Sequence, residues 1–322
     1  MRELIVKELE AGQRLDKFLH KYLKEAPNSF LYKMMRKKNI VLNGKKVTGK
    51  EQIKEGDSIR LFMAEETIDK FRGENSPSVN SALFLLAYNK LKHIQIVAEY
   101  EDVLFIDKPA GVLSQRAEGE SFSANEWLIG YLLSSDKLSE EDLKTFKPSV
   151  CNRLDRNTTG LLICSKTLYG SQEMARILKD RSLHKFYRCI VKGECTLEGI
   201  FESYLYKDKE KNKVTLADSL DEIPKRYINE AKPIKTGIRP IQTNGVYTEM
   251  EVELFTGKTH QIRAQFEKLG YPLKGDVKYA GGEKAEKSNG QLLHAYRLVF
   301  PVMSGKCDYL SEKEIVCHRK FI

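Results

Sequence analysis

The chain has 322 residues, 54 Lys and Arg against 45 Asp and Glu, a net charge of +9 and 41% hydrophobic residues. That length predicts two or three domains with a real core, and the charge favours a polyanionic partner. No apolar run is long enough to span a membrane, and Met1-Arg2-Glu3-Leu4 does not open a signal peptide. The six cysteines form no C-x-x-C pair, which predicts free thiols in a reducing cytoplasm and no metal.

Residues 1–72 read as a small basic domain. A helix over 13–23 places Leu15, Phe18, Leu19, Tyr22 and Leu23 on one face. After Pro27, Asn28 or Ser29 is expected to cap a second helix over 30–38. That helix turns Leu31, Met34 and Met35 inward and Lys33, Arg36 and Lys37 outward. A short strand over 40–42 turns at Asn43-Gly44 and returns from Lys45, and a last strand covers 58–62. Between Ser29 and Arg60 lie nine Lys/Arg against three Asp/Glu. Clustered cations on one helix and the adjoining turn make a phosphate-binding footprint, with Lys33, Arg36, Lys37 and Lys45 as its candidates. The pattern Gln13-Arg-Leu-Asp-Lys-Phe-Leu19, the basic second helix and Val41-Leu-Asn-Gly-Lys45 resemble the small RNA-binding domain of ribosomal protein S-four.

Residues 73–95 carry Gly, Pro, Ser and Asn and are read as a linker. Within it, the eight-residue apolar run 81–88 suits a turn of helix or a strand. From residue 96 to 322 the character changes. Short β-rich runs recur at 96–98, 103–106, 161–164, 186–191, 246–252 and 296–300, with helical patterns at 169–180 and 261–269. This irregular alternation predicts an α+β fold with a mixed, mostly antiparallel sheet.

Within this second domain, Cys151-Asn-Arg-Leu-Asp-Arg-Asn-Thr-Thr-Gly160 sets Asp155 between Arg153 and Arg156, just ahead of an apolar strand. Neighbouring cations keep such a carboxylate ionised and fit to act as nucleophile or base. An Arg/Asp loop alone is more often a surface ion-pair network, so its setting decides. Four more segments stand out. Val103-Leu-Phe-Ile-Asp-Lys-Pro-Ala-Gly111 runs a strand into a forced turn. Lys185-Phe-Tyr-Arg-Cys-Ile-Val191 places Tyr187 on a strand. Leu254-Phe-Thr-Gly-Lys-Thr-His-Gln-Ile-Arg263 leads to Gly270-Tyr-Pro-Leu-Lys-Gly-Asp276, and Leu292-Leu-His-Ala-Tyr296 follows. Gly257-Lys258-Thr259 ends like a phosphate loop, but position 252 is Val where that loop needs Gly. Thr259 is instead expected to cap a helix beginning near His260, with Lys258, His260, Gln261 and Arg263 offering donors to an anion.

These five segments, in this order, resemble the RluA-type pseudouridine synthases over about residues 96–305. The family's central motif reads H-R-L-D, two residues, then T-S-G; Asn152 and Thr159 depart from it here, and Lys258 replaces the usual arginine. The resemblance implies a cofactor-free, metal-free isomerisation of uridine in RNA, most closely as in enzymes of large-subunit ribosomal RNA. It assigns the catalytic set to Asp155, Tyr187 and Arg263. It implies that Arg153 fills the space of a flipped-out base, that Tyr187 stacks on it, and that Leu293 (or Leu292) lies beneath it. Arg156, Lys258, His260 and Gln261 complete the expected RNA contacts. Asp155 either attacks the sugar or base or removes a sugar proton. The whole reads as a cytoplasmic monomer acting on RNA. A non-enzymatic ribosome-assembly factor is the alternative, and an intact Asp155, Tyr187 and Arg263 set weighs against it.

Overall fold

The computed structural model describes residues 1–73, 81–117, 119, 122–210, 213–280 and 290–318. In the first part, β1 (Arg2–Ile5), α1 (Leu15–Tyr22), α2 (Asn28–Arg36), β2 (Ile40–Leu42), β3 (Lys45–Lys46), β4 (Ser58–Leu61) and α3 (Glu65–Arg72) follow in order. The strands form an antiparallel sheet ordered β1-β4-β2-β3. The apolar stripes of α1 and α2 bury Leu15, Phe18, Leu19, Leu31 and Met35 against Ile40, Ile59 and Leu61. Lys33, Arg36, Lys37 and Lys45 stay exposed on the opposite side. One detail differs from the sequence expectation: Asn28 is already helical, and the preceding Pro27 supplies no side-chain cap.

The chain continues through α4 (Ser81–Lys90), β5 (Gln95–Glu99), β6 (Val103–Lys108), α5 (Ala124–Ser134), α6 (Asp142–Thr145), β7 (Ser149–Val150), β8 (Thr159–Ser165) and α7 (Leu168–Lys179). It ends with β9 (His184–Lys192), β10 (Gly199–Asp208), β11 (Lys213–Ala217), β12 (Lys232–Thr243), β13 (Tyr247–Leu254), α8 (Gln261–Lys268), β14 (Leu293–Val299) and β15 (Glu314–Val316). Of the expected 73–95 linker, residues 74–80 lie outside the described residues. Residues 81–90 are a helix that buries Phe84 and Ala87, and Gly130 of α5 is what lets it approach: a Cβ there would lie 2.0 Å from the Phe84 carbonyl oxygen.

Eleven strands form one mixed, mostly antiparallel sheet ordered β11-β10-β12-β13-β9-β14-β8-β6-β5, with β15 on β14 and β7 on β8; β14 and β8 run parallel. Successive side chains of a strand point to opposite faces. Thus Leu104, Ile106, Leu162 and Cys164 pack with Trp127 and Leu128 of α5, while Val103, Phe105, Leu161 and Ile163 pack with Met174 and Ile177 of α7. Burial on both faces explains the unbroken apolar runs of β6 and β8. At the parallel junction Gly160 has φ +106°, and a Cβ there would lie 2.1 Å from the Ala295 carbonyl oxygen. That junction fixes where the Asp155 loop enters the middle of the sheet.

The two parts meet along a polar seam. Lys7 Nζ pairs with Asp142 at 2.6 Å, Lys306 Nζ with Glu8 at 2.7 Å, and Gln172 Nε2 donates to the Gly12 carbonyl at 3.2 Å. Thr145 also donates to Glu10. Among the described residues no helix is long and apolar enough to cross a membrane. All six cysteines are free.

Candidate active site

The Asp155 loop, between β7 and β8, is clamped from several sides. The buried Lys108 at the end of β6 donates to the carbonyls of Pro109 at 3.0 Å, Val112 at 2.8 Å and Arg156 at 2.9 Å. Those acceptors take all three donors of an ammonium, although burial pulls its pKa down to about 7. Ser114 Oγ accepts from Leu154 N at 2.9 Å and donates to its carbonyl at 3.0 Å. Asn152 Oδ1 accepts from Ile163 N at 2.8 Å, which ties the loop to β8. Thr159 Oγ1 meets the buried His294 Nδ1 at 2.8 Å. The two departures from the family motif therefore serve as loop and strand anchors. Gln291 Nε2 closes the far side on Thr158 Oγ1 at 3.2 Å.

Asp155 is about a quarter exposed, at the edge of a cleft of about 840 Å³. Its Oδ2 accepts from Arg263 Nη1 at 3.2 Å, and no described residue binds its Oδ1. Arg263 reaches it from α8. The guanidinium gives its other face to Asp276, with Nε to Oδ2 at 2.6 Å and Nη2 to Oδ1 at 2.8 Å. Asp276 is wholly buried and also accepts from the backbone N–H groups of Lys278 and Tyr279 at 3.1 and 3.2 Å. The paired carboxylates outweigh desolvation and raise the Arg263 pKa further. One arginine is thus fixed by a bidentate buried partner and offers a single donor to Asp155.

Tyr279 joins the same network. Its ring lies under the Arg263 guanidinium at 4.9 Å, and its hydroxyl accepts from Val214 N at 3.2 Å. The same hydroxyl meets His260 Nδ1 at 3.0 Å. With the phenol donating to Nδ1, the imidazole proton sits on Nε2, which faces Asp155 Oδ2 at 3.7 Å. Burial lowers the His260 pKa, opposed by the Asp155 charge. His260 adopts φ +56°, a left-handed conformation uncommon outside glycine.

The structure brings Tyr187, from β9, and Leu293, from β14, into the cleft wall beside Asp155. Tyr187 is buried, and burial first and the Asp155 charge second push its phenol well up. Arg153, Arg156, Lys258 and His260 line the same cleft. Gln261, expected as an RNA contact, also lines the cleft, but from beneath its surface. It is buried, and its amide is spent on Lys235 O at 3.2 Å, Thr236 Oγ1 at 2.9 Å, Thr256 Oγ1 at 3.0 Å and Lys258 N at 3.1 Å. Thr259 does not cap α8 either; the N-cap is His260, without a side-chain bond, and the Gln261 side-chain Oε1 accepts from Lys258 N across the turn instead. Lys33, Arg36, Lys37 and Lys45 lie on the N-terminal part and do not line the cleft.

The cleft is strongly cationic. Arg116, Lys179, Arg181 and Lys185 join Arg153, Arg156, Lys258 and Arg263 along it, and Asp155 is the sole carboxylate among its lining residues. Sequence reasoning gave no role to Lys108, Lys179, Arg181, Asp276 or Tyr279. A readable signal existed for the last two, since an Asp three residues before a Tyr follows the expected Arg helix. A carboxylate with one free oxygen, beside a buried aromatic ring and within a cationic groove, suits chemistry on a base held out of a nucleic acid.

Comparison with known proteins agrees. Residues 102–268 match the family model described as RNA pseudouridylate synthase. The chain is 26% identical over 298 residues to the ribosomal large subunit pseudouridine synthase C of Vibrio parahaemolyticus, covering 90% of this chain and 85% of that one. It is 31% identical over 313 residues to an uncharacterized RNA pseudouridine synthase of Mycoplasma genitalium, covering 92% and 88%. The structure of human RNA pseudouridylate synthase domain containing 4 superposes with a TM-score of 0.57 at 19% identity, over 74% of this chain and 93% of that one. The matched segment includes Asp155, Tyr187 and Arg263, and on these findings the chain belongs to the RNA pseudouridylate synthase family.

Proposed function

We propose that this enzyme isomerises uridine to pseudouridine in large-subunit ribosomal RNA, with Asp155 as the reacting group. The observation that carries this reading is the Asp155 carboxylate itself. It is held at one oxygen by a fixed arginine and open at the other, in a cleft whose other charged lining residues are cations.

The uracil N1–C1′ bond breaks, the ring turns, C5 bonds to C1′, and the C5 proton is exchanged for one on N1. Extruding the uridine costs a few kcal/mol of stacking and pairing. Arg153, exposed on the loop two residues before Asp155, fills the vacated space. Tyr187 and Leu293 hold the flipped ring, with stacking on the aromatic ring worth about 1–3 kcal/mol. Arg263 orients Asp155, while Asp276 and Tyr279 keep Arg263 in place and His260 meets the Tyr279 hydroxyl. Arg156, Lys258 and His260 face the surrounding RNA, and no cofactor or metal takes part. Residues 1–72 act as a second RNA-binding unit through Lys33, Arg36, Lys37 and Lys45. The protein works as a monomer in the cytoplasm.

Two relatives named as ribosomal large subunit pseudouridine synthases C and D support the substrate class. Pseudouridine mapping of ribosomal RNA from cells with and without this protein tests it. At least one large-subunit uridine should lose its modification in the deficient cells. Identical maps would overturn the assignment.

A further inference from the structure

We propose that Lys179 and Arg181, at the C-terminal end of α7, form a phosphate-binding rim that grips the RNA backbone beside the target nucleotide. This rests on the RNA-modifying reading above and extends the cleft beyond the residues that the motifs supply.

Three observations carry it. Both side chains line the Asp155 cleft and are exposed. Among the described residues neither has an acidic partner. Asp180, which lies between them in sequence, turns elsewhere: it accepts from Ser182 N at 3.0 Å and Ser182 Oγ at 2.6 Å, and it meets Arg176 at 3.4 Å. Secondly, the buried Lys185 adds a further cation to the same wall, with its Nζ on the Leu183 carbonyl at 3.0 Å. Burial lowers the Lys185 pKa; the Glu253 charge opposes that shift and the nearby Arg181 charge adds to it. Thirdly, Arg181 follows the helix with φ +64°. Glycine or asparagine is the usual residue where a helix ends in this conformation. Attraction to the helix C-terminus accounts for Lys179 alone. It does not account for a strained arginine that opens onto a cleft. A polyanion would neutralise all three charges.

The position also gives the rim a direction. Gln172, two turns earlier on α7, touches Gly12 of the N-terminal part. The rim thus stands about 10 Å along one helix from that basic unit.

The test is equilibrium binding of a large-subunit ribosomal RNA transcript between 50 and 200 mM salt, with melting temperatures measured alongside. The variants are R181G and K179Q/R181G, with R176Q as a control, because Arg176 is paired with Glu173 at 2.9 Å on the same helix. R181G should weaken binding and the double variant should weaken it further. The slope of log affinity against log salt should become shallower by about 0.7–0.9 for each phosphate contact removed. R181G should melt at or above the wild-type temperature, because glycine relieves the backbone, and R176Q should bind as wild type does. Unchanged affinity and slope in K179Q/R181G would overturn the proposal, as would an equal loss in R176Q. The readout is binding, so a wild-type protein that binds the transcript without isomerising it would defeat the functional reading and leave the rim standing.

Discussion

Replacing Asp276 by alanine should cost more stability than most substitutions in this chain. Asp276 is wholly buried and makes two charge-assisted bonds to Arg263, at 2.6 and 2.8 Å, plus two to backbone N–H groups. Hydrogen bonds to charged groups are worth about 1.5–3 kcal/mol each, and breaking a buried pair leaves an uncompensated charge at a cost of about 3–5 kcal/mol. Asp155 remains at 3.2 Å as a partial substitute, so the lower end, about 3 kcal/mol, is expected. Urea denaturation followed by circular dichroism measures it. The double variant Arg263→Met/Asp276→Leu should be less destabilised than Asp276→Ala alone, because no buried ion is then orphaned. Asp155 can be solvated in that variant, being a quarter exposed. A loss under about 1 kcal/mol in Asp276→Ala would refute this account of the pair. So would a double variant as unstable as the sum of its singles.

Gly160→Ala should destabilise by about 3 kcal/mol or more, since its Cβ would meet the Ala295 carbonyl at 2.1 Å; wild-type melting would contradict the close-approach argument. His260 has a folded pKa below its unfolded value, so the unfolded chain binds more protons as pH falls from about 6.5 toward that lower value. Its contribution is full above that window and is lost on acidification through it. His260→Gln should flatten the pH dependence of the urea midpoint there, and an unchanged slope would argue against a partly buried imidazole that is held neutral. The Tyr187 phenol is raised by burial and by Asp155, so it stays protonated at alkaline pH. Tyr187→Phe should therefore leave the alkaline side of the rate profile in place; a shift of that side would assign the ionisation to Tyr187.

The parts of the site that sequence revealed are those whose signal is local. Asp155 sits in a compact charged loop ahead of an apolar strand, and Tyr187 and Arg263 stand in short patterned segments. The fold converges all three because β8, β9 and β14 are neighbours in one sheet and α8 follows the adjoining β13. Less legible were groups whose role depends on a distant partner. Nothing local shows that Asp276 holds Arg263, or that Lys108 spans from the Pro109 turn to the Arg156 carbonyl. Thr259 has the right chemistry for a cap, yet α8 begins one residue too late for it, with the left-handed His260 at the N-cap. β12 escaped notice although Ile234, Thr236 and Ile238 are buried in alternation. Pro233, Gly237 and Pro240 interrupt its period, which is tolerable where a strand bulges, as between Pro240 and Gln242. The apolar run 81–88 left helix and strand open, and the helix over 81–90 with buried Phe84 and Ala87 decides between them.

If Asp155 is the reacting group, as proposed, the isomerisation depends on its carboxylate whichever route it takes. The most direct measurement is single-turnover pseudouridine formation by Asp155→Asn on a ribosomal RNA transcript that the wild-type protein modifies, with binding measured in parallel. The asparagine keeps the side chain's size and removes its charge. The transcript should still bind, and no pseudouridine should form above the uncatalysed background. Isomerisation at the wild-type rate would place the reacting group elsewhere.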